Sequence, residues 1–230
     1  EGYKEAARPL YTEALARFSA ILSTWPDCEF APRAQYHKAL CLEMLEDYAR
    51  SSEEYVKMTY LYPESDLVGD ATIRLATYYY AKEKRYDISG HIYRNFQKRF
   101  PQHEKAARAL FMGGSCYIKQ AETLQAEDER RLEAKETRDK TVGRQISDLY
   151  RETTKTFETL LATYDGPSYI KLRAQAMYWI GDVSVRRRDY ATAYRSLKRC
   201  ILEYPETEWA RRARGLLLQE EGEFSRIEGD

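Results

Sequence analysis

The sequence has few of the residues that carry enzymatic or metal chemistry. Among its 230 residues are three histidines, and none of them forms an HExxH pattern or an i,i+4 pair. Its four cysteines have no CxxC spacing. No GxGxxG, GKS/T or GxSxG motif is present, so the common signatures of nucleotide binding and serine hydrolysis are missing. We therefore expect a non-catalytic protein with no metal site and no bound cofactor.

The sequence also lacks an excess of charge of either sign and a long apolar run. The 37 Lys and Arg residues balance the 37 Asp and Glu residues, which argues against a nucleic-acid partner. No apolar run approaches the roughly 18–20 residues that span a bilayer, so no transmembrane segment is expected. The basic runs Arg186–Arg188 and Arg211–Arg214 lie near helix ends and are interpreted as solvated faces.

Tyrosine, in contrast, is abundant, with 20 residues, and it recurs at matching points of a repeated pattern. In the stretch Tyr190–Pro205, apolar and small residues follow each other at steps of three and four, which places them on one stripe of an α-helix. The proline ends this helix. Five copies begin at Tyr11, Tyr48, Tyr86, Tyr150 and Tyr190. They predict B helices near residues 8–25, 48–62, 86–100, 147–164 and 190–204.

Between successive B helices lies a second amphipathic segment, the A helix. Each A helix carries two small residues five positions apart with a large residue between them, as in Ala34, Tyr36 and Ala39. In two later copies the second small residue is a glycine, Gly114 or Gly181. Glycine inside a helix costs about 1 kcal/mol relative to alanine, so these glycines predict close approach of a neighbouring helix.

One repeat carries an insert. The leading tyrosines are 37, 38 and 40 residues apart in three intervals, but 64 residues separate Tyr86 from Tyr150. The insert spans about 120–146, and its core, residues 122–144, is dense in charges of both signs. We expect a solvated extension of the A helix that turns near 141–143; the alternative is a disordered loop. Residues 206–226 are expected to form a capping helix.

The B-helix pattern resembles the second-helix signature of the tetratricopeptide repeat. Ala193, Leu197, Cys200 and Pro205 match it position for position, and Gly181 stands where the family places its A-helix glycine. The repeat is longer than the usual 34 residues, and the family's A-helix tryptophan is absent. The resemblance implies an all-α fold, a right-handed α-solenoid over residues 1–230 as a single domain. It also implies a concave groove that binds a protein or peptide partner.

The longer repeat and the recurring Tyr-Pro-Glu-Ser/Thr after the B helix (Tyr62–Ser65, Tyr204–Thr207) are similar to bacterial envelope proteins. The nearest are the outer-membrane assembly lipoprotein (BamD) family and the periplasmic YbgF (CpoB) family. This resemblance implies a scaffold of an outer-membrane assembly complex in the periplasm, with a possible lipid anchor upstream of Glu1. The alternatives are a cytoplasmic adaptor or regulatory protein and an accessory repeat segment of a larger enzyme. The oligomeric state is left open.

Groove candidates follow from the register of the A helices in the resembling family. They are Arg33, Tyr36, Glu43, Tyr80, Arg108, Phe111, Gln175, Tyr178, Asp182 and Arg186. Tyrosine and arginine are the residue types that concentrate binding energy at interfaces. The alternative for Tyr36, Phe111 and Tyr178 is that each ring packs in the core between helices. A Lys/Asn clamp on a terminal carboxylate is excluded, because the single asparagine, Asn95, lies on a B helix.

Overall fold

The computed structural model of the chain describes residues 2–135 and 139–228, and within these ranges it is all-α, with no strand. A short 3₁₀ helix, Pro167–Tyr169, precedes α8. The α-helices are α1 Gly2–Thr24, α2 Ala31–Met44, α3 Tyr48–Leu61, α4 Val68–Ala81, α5 Tyr86–Arg99, α6 Ala106–Glu133, α7 Val142–Thr163, α8 Ile170–Arg186, α9 Tyr190–Glu203, α10 Glu208–Gln219 and α11 Glu221–Glu228. This order is the alternation of A and B helices that the sequence pattern predicts.

The chain forms two compact units, Glu1–His103 and Glu104–Asp230, which are called unit 1 and unit 2. Unit 1 contains α1 to α5, and unit 2 contains α6 to α11. That both belong to one solenoid stays a prediction.

In unit 1 the helix pairs are joined by apolar packing and by a repeated hydrogen bond. One buried cluster combines residues of α2, α3 and α4, among them Tyr55 and Met58. The Ser51 hydroxyl of α3 donates to the Ala39 carbonyl of α2 at 2.8 Å. The Ser89 hydroxyl of α5 donates to the Ala76 carbonyl of α4, also at 2.8 Å. Both acceptors are the second small residue of an A helix. In both repeats, therefore, the B helix is hydrogen-bonded to its A helix at the same position.

In unit 2 the corresponding small residues are glycines, and they allow closer packing. A Cβ built on Gly114 of α6 would lie 2.4 Å from the ring of Phe157 in α7. A Cβ on Gly181 of α8 would lie 2.5 Å from the side chain of Leu197 in α9. Real Cβ atoms do not approach other heavy atoms this closely, so an alanine at either point would force Phe157 or Leu197 to shift. The predicted close approach at the glycines is confirmed.

The A helices end in a common turn that leads into the B helices. The turns contain charged residues with positive φ, namely Glu46 (66°), Lys84 (53°), Lys135 (57°) and Arg188 (60°). This is a conformation in which helix ends usually place glycine. Two of the following B helices start with an aspartate cap: Asp47 accepts from the amide of Arg50, and Asp189 accepts from that of Thr192, each at 3.2 Å.

The insert is helical up to Glu133 and again from Val142, and residues 136–138 lie outside the described residues. Helix α6 runs without a break to Glu133, so the predicted helical extension is confirmed and the loop alternative is wrong for the described part. The turn predicted near 141–143 is displaced, because the chain leaves the helix at Ala134 and α7 already begins at Val142. The expected capping helix is two helices, since α10 ends at Gln219 and α11 begins at Glu221.

Candidate functional site

In unit 2, one stripe of α8 carries four of the predicted groove residues. Gln175, Tyr178, Asp182 and Arg186 follow each other at steps of three and four, so they share a helix face. An ion pair joins Arg186 Nε to Asp182 Oδ2 at 2.8 Å. Burial raises the pKa of the Asp182 carboxyl, although the charge of Arg186 opposes this shift.

The Arg186 guanidinium also reaches two other helices of unit 2. Its Nη1 donates to the Tyr150 hydroxyl of α7 at 3.4 Å and lies 4.0 Å from a carboxylate oxygen of Glu122 in α6. Burial alone would lower the pKa of Arg186, but the bond to Tyr150 and the nearby carboxylates raise it. A partly exposed ion pair contributes only about 0–1 kcal/mol to stability. The main consequence of these contacts is therefore that one arginine is held in place on three helices.

Beside this arginine, unit 2 presents an aromatic surface. The Tyr178 ring lies 5.4 Å from the ring of Trp209 in α10, and the Arg212 guanidinium carbon lies 4.7 Å from the Trp209 centroid. Burial and the nearby Asp182 charge raise the pKa of the Tyr178 hydroxyl. We call Tyr178, Asp182, Arg186, Trp209 and Arg212 the α8–α10 cluster. It combines rigid aromatic surface with guanidinium groups, which are common anchors of protein interfaces.

Sequence reasoning missed Trp209 and Arg212, although a signal was available. Trp209 stands four residues before Ala213, as Phe30 stands before Ala34 and Leu67 before Ala71. The register thus makes α10 a further A helix in addition to the expected cap.

In unit 1, the predicted residues Tyr36 and Glu43 contact an arginine, Arg74, that is not among the predicted groove residues. Arg74 Nη1 of α4 donates to both carboxylate oxygens of Glu43, at 2.9 and 3.0 Å, and its Nε donates to the Tyr36 hydroxyl at 3.0 Å. The Tyr55 hydroxyl of α3 donates to Glu43 at 2.9 Å. Burial, together with the Glu43 charge, raises the Tyr55 pKa. Side chains of α3 and α4 thus both bind the Glu43 carboxylate of α2.

The other predicted groove residues are placed differently. Tyr36 is 8% and Phe111 7% exposed, so both rings belong to the core, as the alternative interpretation held; Phe111 stacks on Phe157 at 5.1 Å. Tyr80 is half-buried against Tyr86, with 5.3 Å between ring centroids. Arg33 and Arg108 are exposed, and Arg33 lines a separate groove in unit 1.

The described residues contain no group of three or more metal-ligating side chains arranged to hold an ion. None of the helices in the described ranges is both long and apolar enough to cross a membrane.

Comparison with known families shows to which family the chain belongs. The model of the YfiO family, described as outer membrane lipoprotein, matches residues 33–171, which is more than half of the sequence. The chain belongs to this family. A tetratricopeptide repeat model matches residues 175–207, which contain α9 and most of α8. No curated protein sequence matches the chain.

Solved structures support the same fold for this YfiO-family chain. The MamA RS-1 ArsTM double mutant is 16% identical, with a TM-score of 0.53 and coverage of 92% of each chain. A putative kinesin light chain from Podospora anserina with nearly identical tetratricopeptide-like repeats is 10% identical, with a TM-score of 0.57 and coverage of 86% of each chain. At these identities the likeness concerns the fold. The YfiO and tetratricopeptide repeat models, in turn, indicate a tetratricopeptide-type scaffold for protein interactions.

Proposed function

We propose that this protein is a non-catalytic component of a bacterial outer-membrane assembly complex. It acts in the periplasm, attached to the outer membrane, and holds a partner polypeptide against its A helices. Membership of an outer membrane lipoprotein family supports the proposed location at the outer membrane. The α8–α10 cluster supports the binding role and is the observation that carries the proposal.

The cluster is suited to capture a polypeptide rather than to perform chemistry. Its polar groups are an arginine held by Asp182, Tyr150 and Glu122, and a second arginine beside Trp209. These groups can donate hydrogen bonds to backbone carbonyls or carboxylates of a partner, while Tyr178 and Trp209 offer apolar surface. Because Arg186 is already positioned, binding loses less side-chain entropy than it would with a free arginine.

The test is affinity capture of envelope proteins by the tagged full-length protein, with bound proteins identified by mass spectrometry. The variant Tyr178→Ala/Arg186→Ala should reduce capture of outer-membrane assembly partners at least fivefold, with an unchanged circular dichroism spectrum. Arg186→Gln alone removes the charge with less loss of packing, and it should reduce capture by a smaller factor.

The matched control is Arg195→Ala/Leu202→Ala, which also removes one arginine and one large side chain from exposed positions of the next helix, α9. This control should capture partners as the wild type does. Equal capture by both double variants would refute the binding role of the cluster, and capture of cytoplasmic proteins alone would refute the proposed location.

A further inference from the structure

A second surface of unit 1 lies where α2 begins and α3 ends. It is an open groove of about 550 Å³, and its apolar residues are Phe30, Pro32, Leu61 and Pro63. Phe30 and Leu61 are each 61% exposed. Two large apolar side chains beside two prolines thus form a surface that remains open to solvent in the described structure.

The repeat itself does not require a leucine at position 61. The residues that precede the aromatic residue at the end of the other B helices are polar: Thr24, Arg99, Thr163 and Glu203. The exposed leucine is therefore a feature of this groove and not of the fold.

The hydrogen bonds between neighbouring repeats do not require a polar side chain at position 61. Arg99, at the matching position of α5, donates to the Pro63 carbonyl at 3.1 Å. The matching carbonyl of the preceding repeat, that of Pro26, already accepts a hydrogen bond from the Tyr62 hydroxyl at 3.0 Å. Since Phe100 replaces Tyr62 in the next repeat, Arg99 supplies the bond there. Leu61 is consequently not needed for this contact.

The rim of the groove is acidic. Glu29, Glu64 and Asp66 line it, with Arg33 as the one basic lining residue, so carboxylates outnumber guanidinium groups three to one. Such a rim attracts a cationic ligand and repels an anionic one, while the apolar side chains favour a ligand with large apolar groups.

We propose that this groove docks a short peptide segment in which large apolar side chains are flanked by lysine or arginine. The apolar side chains of the segment cover Phe30 and Leu61, and its cationic groups face Glu64 and Asp66. The proposal concerns a different surface from the α8–α10 cluster and does not depend on the function of that cluster.

The test is fluorescence anisotropy with three labelled decapeptides. In the first, tryptophan and leucine alternate with lysine; in the second, glutamate replaces lysine; in the third, serine replaces the apolar residues. Wild-type protein should bind the first peptide at least tenfold more tightly than the other two. Leu61→Arg, which introduces the residue of the next repeat, should weaken binding of the first peptide at least tenfold.

Leu202→Arg is the matched control, because it adds the same charge at an exposed leucine near the end of another B helix. It should bind the first peptide as the wild type does. Glu64→Gln/Asp66→Asn should weaken binding several-fold and reduce its dependence on salt. Thermal melts of all variants check folding, and Leu61→Thr, with the residue found at positions 24 and 163, serves as a milder second variant.

Equal binding of the lysine and glutamate peptides, or equal loss in the Leu61→Arg and Leu202→Arg variants, would overturn the proposal. Sedimentation velocity tests whether a second copy of the chain, rather than a peptide, occupies the groove. A wild-type dimer that the Leu61→Arg variant abolishes would assign the groove to a second copy of the chain, which would also overturn it.

Discussion

The two units join their helix pairs by different means at the same point of the repeat. In unit 1 an alanine of the A helix accepts a hydrogen bond from a serine of the B helix, as in the Ala76–Ser89 pair. In unit 2 a glycine of the A helix lets a large side chain of the B helix pack directly on its backbone, as Leu197 does on Gly181. The same repeat thus tolerates a polar link or tight apolar packing, provided that the A-helix residue is small.

The largest effect is expected when the close packing of unit 2 is broken. Gly181→Ala places a Cβ about 2.5 Å from Leu197, which is fully buried and has little room to move. Overpacking of this kind costs about 1–3 kcal/mol, and the better helix propensity of alanine returns about 1 kcal/mol. We expect a net loss of up to about 2 kcal/mol in the free energy of unfolding, measured by urea denaturation.

Gly215→Ala is the control for this substitution, because Gly215 also lies inside a helix, α10, but a Cβ there would meet nothing within 4 Å. It should stabilise the protein by up to about 1 kcal/mol. If Gly181→Ala were stabilising to the same degree, the close packing of Leu197 would not be the reason for the glycine.

A smaller effect is expected when the polar link of unit 1 is removed. Ser89→Ala deletes the hydroxyl that donates to the Ala76 carbonyl, in a fully buried position. A hydrogen bond of this kind contributes about 1 kcal/mol, so the free energy of unfolding should fall by about that amount. Ser23→Ala removes an exposed hydroxyl that bonds only within its own helix, and it should change stability by less than about 0.5 kcal/mol. Equal effects of both substitutions would show that the inter-helix bond is not a stabilising link.

Periodicity was sufficient to predict the helix pairs, since the stripe of each B helix and the small residues of each A helix are local patterns. The same register predicted close approach of a neighbouring helix at Gly114 and Gly181, but it did not identify Phe157 and Leu197 as the side chains that pack there. The charged residues at the ends of the A helices were not foreseen, because Glu46 and Arg188 adopt a conformation for which glycine is the usual signal.

The candidate site was predicted in part. The α8 stripe of Tyr178, Asp182 and Arg186 is a local pattern, and the structure places these residues together. Arg74, however, is bound to Glu43 across 31 residues of sequence, and Arg186 reaches Tyr150 across 36. Contacts over such separations depend on how three helices stack, which no local pattern specifies.

The most direct measurement is site-specific photocrosslinking in the bacterial envelope, with a photoreactive amino acid placed in the full-length protein at position 175 or at position 195. Gln175 lies on the α8 stripe, one turn from Tyr178, whereas Arg195 is exposed on α9. We expect light-dependent adducts with another polypeptide from position 175 and none from position 195. Adducts of equal yield from both positions, or from position 195 alone, would contradict the claim that the A helices hold the partner.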